Sequence, residues 1–361
     1  MSLLTEVLAA PERIDELSGA QWDELLRLAR FSRLLGRLHA LVEERGNLEQ
    51  IPLAAREVLV GASIYTQYVQ LLARRVLFSL NQVVDATDFP VVLLKGAAYL
   101  MSGLPSSVGR RMNDIDILVP HEKLPQMESL LERAGWGFEV KLTAYDHRYY
   151  REWSHELPPM RHSDSPIELD VHHSLIQPTG RIKFNSDRLF ADLVSIDGMA
   201  FSTLSPPDMV LHSATHLFMS DELRGGLRDL VDMHMLCNYF AERDSGYWEK
   251  LTARAEELGL QRPLYYAVAA MRRIFRTAIP GDVWETIATA RPGWLADWVM
   301  RRAIDRHLAP GNMAKLHSWY AQRLLYLRSH WIRMPPLMLA KHLCYKWWAG
   351  FRAPDVNAGD A

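Results

Sequence analysis

The heptapeptide DIDILVP, residues 114–120, constrains this chain more than any other stretch. Asp is among the residues most depleted from strands, yet two of them alternate here with Ile115 and Ile117 in a run that Pro120 ends. Successive strand side chains point to opposite faces. Asp114 and Asp116 therefore share one face, while Ile115, Ile117 and Val119 fill the other. A solvated edge strand would tolerate such a pair. In a partly buried strand the two charges need a cation, and Mg2+ (or Mn2+) is the natural one, because it takes oxygen ligands from one or two carboxylates together with substrate phosphates.

Three neighbouring segments favour the second arrangement. PVVLLKG (90–96) is a continuous apolar run closed by glycine, the pattern of a buried strand, and AAYLMSG after it reads as a short helix. Gly96 at that junction, followed by the small Ala97, would let backbone N–H groups approach a phosphate at the helix start. Lys95, Arg110 and Arg111 supply positive charge, and arginine can grip phosphate oxygens with two nitrogens. Downstream, IELDVHH repeats the alternation, with Glu168, Asp170 and His172 on one face. A third acid from that strand would close the site.

Around this unit the period changes from two to about 3.6. Residues 20–44 and 52–86 each read as an amphipathic helix. HEKLPQMESLLERAG is a helix ending at Gly135, WGFEVK a third strand, and DHRYYREWSHEL and PIELDVHHSL further strands. Everything after about Asp187 reads as helical, with breaks at Pro206, Pro263, Pro280, Pro292 and the MPP of 334–336. The expected class is α+β: a small mixed-sheet core at 89–185 between an N-terminal helical region, 1–88, and a C-terminal helical domain, 186–361. With 48% hydrophobic and 23% charged residues the chain is an ordinary globular one. A net charge of -2 argues against a general nucleic-acid binder, and two cysteines are too few for a disulfide framework. No basic leader or 20-residue apolar run is evident, so the expected location is cytoplasmic.

Taken together, LLKGAAYL, GRRMNDIDILVP and IELDVHHSL resemble the polymerase-beta-like nucleotidyltransferase superfamily, and more narrowly its broad family of uncharacterised bacterial nucleotidyltransferases. Where that family follows the first glycine with Gly or Ser, this chain has Ala97, which lacks a hydroxyl. The resemblance implies transfer of a nucleoside monophosphate from an NTP, with ATP the expected donor, to an acceptor hydroxyl of a small molecule, sugar or protein, with release of pyrophosphate. It also implies that Asp114 and Asp116 bind two metal ions and that Asp170, placed two residues before His172, holds the one that activates the acceptor. Glu168 and His172 stand next to these as supporting candidates.

Other signals are weaker. His212 and His216 lie one turn apart without the H-E-x-x-H zinc pattern, and helix packing accounts for them. RGGLRDLVDMHML offers Arg224 or Arg228 to nucleotide phosphates, or else an ordinary ion pair with Asp232. Residues 301–352 carry ten Lys/Arg against one acid; packing of their aromatic residues on the protein body is favoured over weak contact with an anionic surface. Two other functions compete with the first: a glycosyltransferase using D-x-D on a nucleotide sugar, and a nucleotide-binding scaffold with little catalysis.

Overall fold

The computed structural model describes residues 2–138, 149–180, 182, 184–219, 223, 225–308, 325 and 328. Four helices come first: α1 (Leu3–Ala9), α2 (Gly19–Phe31), α3 (Leu35–Glu44) and α4 (Leu53–Asp85). Then follow β1 (Val92–Leu93), α5 (Lys95–Met101), β2 (Asp114–Leu118), α6 (Leu124–Arg133), β3 (Trp136–Phe138), β4 (Met160–His162), β5 (Glu168–His172), β6 (Val194–Ser195) and β7 (Ser202–Thr203). The remaining described helices are α7 (Pro206–Met219), α8 (Leu227–Arg243), α9 (Tyr247–Glu257), α10 (Gln261–Phe275), α11 (Gly281–Ala288) and α12 (Trp294–Leu308).

The strands form one seven-stranded mixed sheet in the order β3-β4-β5-β2-β1-β7-β6. Neighbouring β2 and β5 are parallel, and β1 runs antiparallel to β2. The class is the expected one, helices flanking a mixed sheet on both sides. The centre of the sheet is apolar because Ile115, Ile117, Leu169 and Val171 are buried to 1% exposure or less. They share one continuous core with α4, α7 and α8.

Four local expectations are corrected. The helix read over 20–44 is two helices, interrupted at Arg33, whose φ of 59° is left-handed. The break lets α3 turn toward the loop before β2: a Cβ at Gly36 would stand 2.6 Å from the Gly109 carbonyl oxygen, so the two backbones meet. The strand expected in DHRYYREWSHEL is instead, over the described Tyr149–Trp153, a π-helical turn. Edge-on contacts of Tyr149 with Tyr150 and Trp153 override the weak alternation. After Asp187 the chain is not wholly helical, since β7 pairs in parallel with β1 and carries the sheet past residue 185. Pro263 breaks no helix; it sits in the first turn of α10, where its missing N–H costs nothing. Glu139, Val140 and Lys141 of the third strand, Arg224, the MPP and most of 301–352 lie outside the described residues.

The N-terminal helices brace the loop that precedes β2. Arg37 of α3 donates to the carbonyls of Pro105 (3.1 Å) and Ser106 (2.8 Å). Gln70 of α4 donates to those of Ser107 (2.7 Å) and Arg110 (2.9 Å). A loop whose carbonyls are satisfied by two helices is held in one conformation, and so are the residues that follow it into β2.

Candidate functional site

Strand pairing brings the acids together. In the parallel ladder Asp114 stands opposite Glu168, Asp116 opposite Asp170 and Leu118 opposite His172. Adjacent strands lie about 4.8 Å apart, so Asp116 and Asp170 are side by side on one face, with Asp114 two residues along. The carboxylates differ sharply in setting. Asp116 is 4% exposed, accepts from Lys95 Nζ at 2.8 Å and lies 3.0 Å from His172 Nε2. Burial works to raise its pKa, but Lys95 and His172 override it and hold the carboxyl well below the usual range. Asp114 and Asp170, only half-buried, form no ion pair among the described residues. Burial and then the Asp116 charge raise Asp114; burial, Asp116 and Glu156 push Asp170 up to about 7. Such a cluster carries an electrostatic deficit that a cation relieves.

Lys95 opens α5 with φ 43°, a left-handed conformation that a non-glycine residue adopts only under constraint. Burial disfavours its ammonium, and the charges of Asp116 and Asp114 more than restore it, so its pKa is raised. It lies with the acids rather than free in solvent.

Arg110 and Arg111, neighbours in sequence, have different settings. Arg110 is 6% exposed and donates from Nε to Asp232 Oδ2 of α8 at 2.7 Å, with Asp229 3.9 Å away. Its guanidinium lies directly against Gly96, where any Cβ would collide with it. The glycine is thus explained by the packing of an arginine beneath it. Arg111 is exposed, with its guanidinium 5.3 Å from the ring centre of Tyr65 on α4. Ala97 is 1% exposed, within the core. Arg228 donates to its neighbour Asp229 at 3.1 Å, and its charge reaches Asp114.

A cavity of about 740 Å³ is lined among others by Arg33, His155, Glu156, His216, Arg228 and Asp229. Asp114, Asp116 and Asp170 are not in its lining; the link runs through Arg228 and through Glu156, whose Oε2 is 3.3 Å from Nδ1 of the Asp116-bound His172. His216, exposed on the cavity wall, is held below the usual imidazole range chiefly by the charge of Lys95, and His212, buried one turn before it, chiefly by burial. Sequence reading missed His155 and Glu156. Their partner lies on β5, reached through the antiparallel bridge Glu156↔His172, and no short motif encodes a contact at that separation.

Acids gathered on two adjacent strands, linked through Glu156 and Arg228 to a roomy cavity, suit an enzyme that handles a charged substrate. The sequence profile of the uncharacterised nucleotidyltransferases matches residues 18–276. The chain belongs to that family and is a nucleotidyltransferase. No curated protein matches it.

Proposed function

We propose that the chain has the polymerase-beta-like arrangement and transfers a nucleoside monophosphate from an NTP, ATP first among candidates, to an acceptor hydroxyl, releasing pyrophosphate. The single observation that supports this most is the pairing of Asp116 with Asp170 across β2 and β5, with Asp114 on the same face. Three hard oxygen donors, two of them without an ion-pair partner among the described residues, fit Mg2+ or Mn2+; Asp114 and Asp116 would hold the ions, and Asp170 the one nearest the acceptor. Bound there, the metal would polarise the reacting phosphoryl group and stabilise the leaving oxygen.

The chain's own residues do the rest. Lys95 keeps Asp116 ionised. Asp170, beside the ion nearest the acceptor, would assist removal of the acceptor hydroxyl proton. Arg33 and Arg228, which line the cavity, would take the NTP phosphates, while Arg110 positions Gly96 and α8 instead of touching the nucleotide. The cavity receives the acceptor. Cytoplasmic ATP and Mg2+ supply such a reaction, and among the described residues no helix is long and apolar enough to cross a membrane.

The test is metal-dependent NTP binding and pyrophosphate release by the intact chain and by the Asp114→Asn/Asp116→Asn variant. Loss of both in the variant is expected. Equal turnover in the two proteins refutes the reading, and turnover of a nucleotide sugar without pyrophosphate replaces it with glycosyl transfer.

A further inference from the structure

We propose that His155, Glu156 and His172 form a second cation site, selective for a zinc-class divalent ion and chemically distinct from the oxygen-only acids of β2 and β5. One donor atom from each residue lies within 4.8 Å of the others. Glu156 Oε2 is 3.3 Å from His172 Nδ1 and 3.7 Å from His155 Nε2. A tetrahedral ion with bonds of about 2.0–2.1 Å sets its ligand atoms roughly 3.4 Å apart. The two Glu156 edges bracket that value, and the His155–His172 edge lies within 4.8 Å.

The second observation is the state of the His172 ring. It is 2% exposed, and its Nε2 is held by Asp116 Oδ1 at 3.0 Å. Its Nδ1 is buried, makes no hydrogen bond, and faces the Glu156 carboxylate. An imidazole with one nitrogen fixed by a carboxylate and the other aimed at further donors is the carboxylate–histidine–metal arrangement, in which the outer carboxylate sets ring tautomer and orientation.

The frame is rigid. Leu157 N donates to Val171 O and His173 N to His155 O, both at 2.9 Å. Ligands from two cross-bonded segments keep their spacing without a metal. His155 and Glu156 also line the cavity, so an ion held by three protein ligands keeps a remaining position open to it, as catalytic rather than structural zinc sites do. Two imidazoles favour Zn2+, Co2+ or Ni2+ over Mg2+, which demands oxygen. A bound ion would fix the His172 Nε2–H on Asp116, and with it the orientation of that carboxylate.

The site does not depend on the nucleotidyl-transfer reading, and its test uses no nucleotide. The full chain is stripped with chelator and titrated with Co2+ in millimolar Mg2+, and the visible d–d absorption is followed. The expected result is an intense four-coordinate spectrum saturating at one ion per chain, unchanged in Asp114→Asn. Glu156→Gln and His155→Ala, at partly exposed positions, should weaken it at least about tenfold, the lower bound for loss of even an outer-shell partner. X-ray absorption of the Zn2+-loaded native chain, expected to show two imidazoles, carries the test if a variant fails to fold. No spectrum in the native chain, an oxygen-only shell, displacement by Mg2+, full retention in both folded variants, or loss in Asp114→Asn as large as in Glu156→Gln would each overturn the proposal.

Discussion

Asp170→Asn should stabilise the metal-free protein while destroying its activity, and the gain should depend on pH in a specific way. Asp170 has a pKa of about 7 in the fold against an ordinary 3.8. An acid whose pKa is higher folded than unfolded binds its proton more tightly in the folded state. Native stability therefore declines as pH rises from about 4 to about 7, and stays at the lower level above that. At 1.36 kcal/mol per tenfold, the interval from 3.8 to about 7 sets a ceiling of about 4 kcal/mol. Solvent access to the half-buried carboxylate reduces it to about 2–4 kcal/mol. Asparagine is nearly isosteric and has no proton to lose, so it removes the cost. With an unfolding entropy of about 2.1 cal/mol/K per residue over 361 residues, the variant should melt roughly 3–5 °C above the native chain at pH 8. Near pH 4 the two should coincide. Chelator-treated protein in a thermal melt series across that range is the assay. A difference that is the same at both ends, or a variant less stable at pH 8, refutes the proposed cost of burying the Asp170 charge beside Asp116 and Glu156. Added Mg2+ should then stabilise the native chain more at pH 8 than at pH 5.

Further outcomes follow from the same structure. Gly96→Ala should cost about 1–3 kcal/mol in urea unfolding, because the new methyl displaces the Arg110 guanidinium; a neutral result would mean that the arginine has room to move. Arg110→Met strands Asp232, which is 3% exposed, and should lose about 3–5 kcal/mol, while Arg110→Met/Asp232→Leu should recover most of it. Lys95→Met removes the 2.8 Å partner of Asp116. The carboxyl pKa then rises, and metal binding should require higher pH, seen as an upward shift in the pH midpoint of a Mg2+ titration.

Much of the core was legible in the chain itself. The D-x-D alternation, the apolar run ending at Gly96 and the IELDVHH strand fall on β2, β1 with α5, and β5, because period-two patterning is a local property of a half-buried strand. The long helix α4 was equally plain. What failed were elements whose conformation is set by distant partners: the two-residue strands β7, which pairs with β1, and β6, which pairs with β7, and the Tyr149–Trp153 turn.

The site divides along the same line. Local sequence alone determined that Asp114 and Asp116 share a face, that Glu168, Asp170 and His172 share another, and that both strands present apolar residues to the opposite side. Only the tertiary structure decided that Asp116 stands beside Asp170, that Arg110 is buried against Asp232, and that His155 and Glu156 meet His172. Alternation is written in adjacent residues, whereas register, ion pairing and burial depend on which segments the core brings together. A charged side chain reads the same in a sequence whether it faces water or a countercharge.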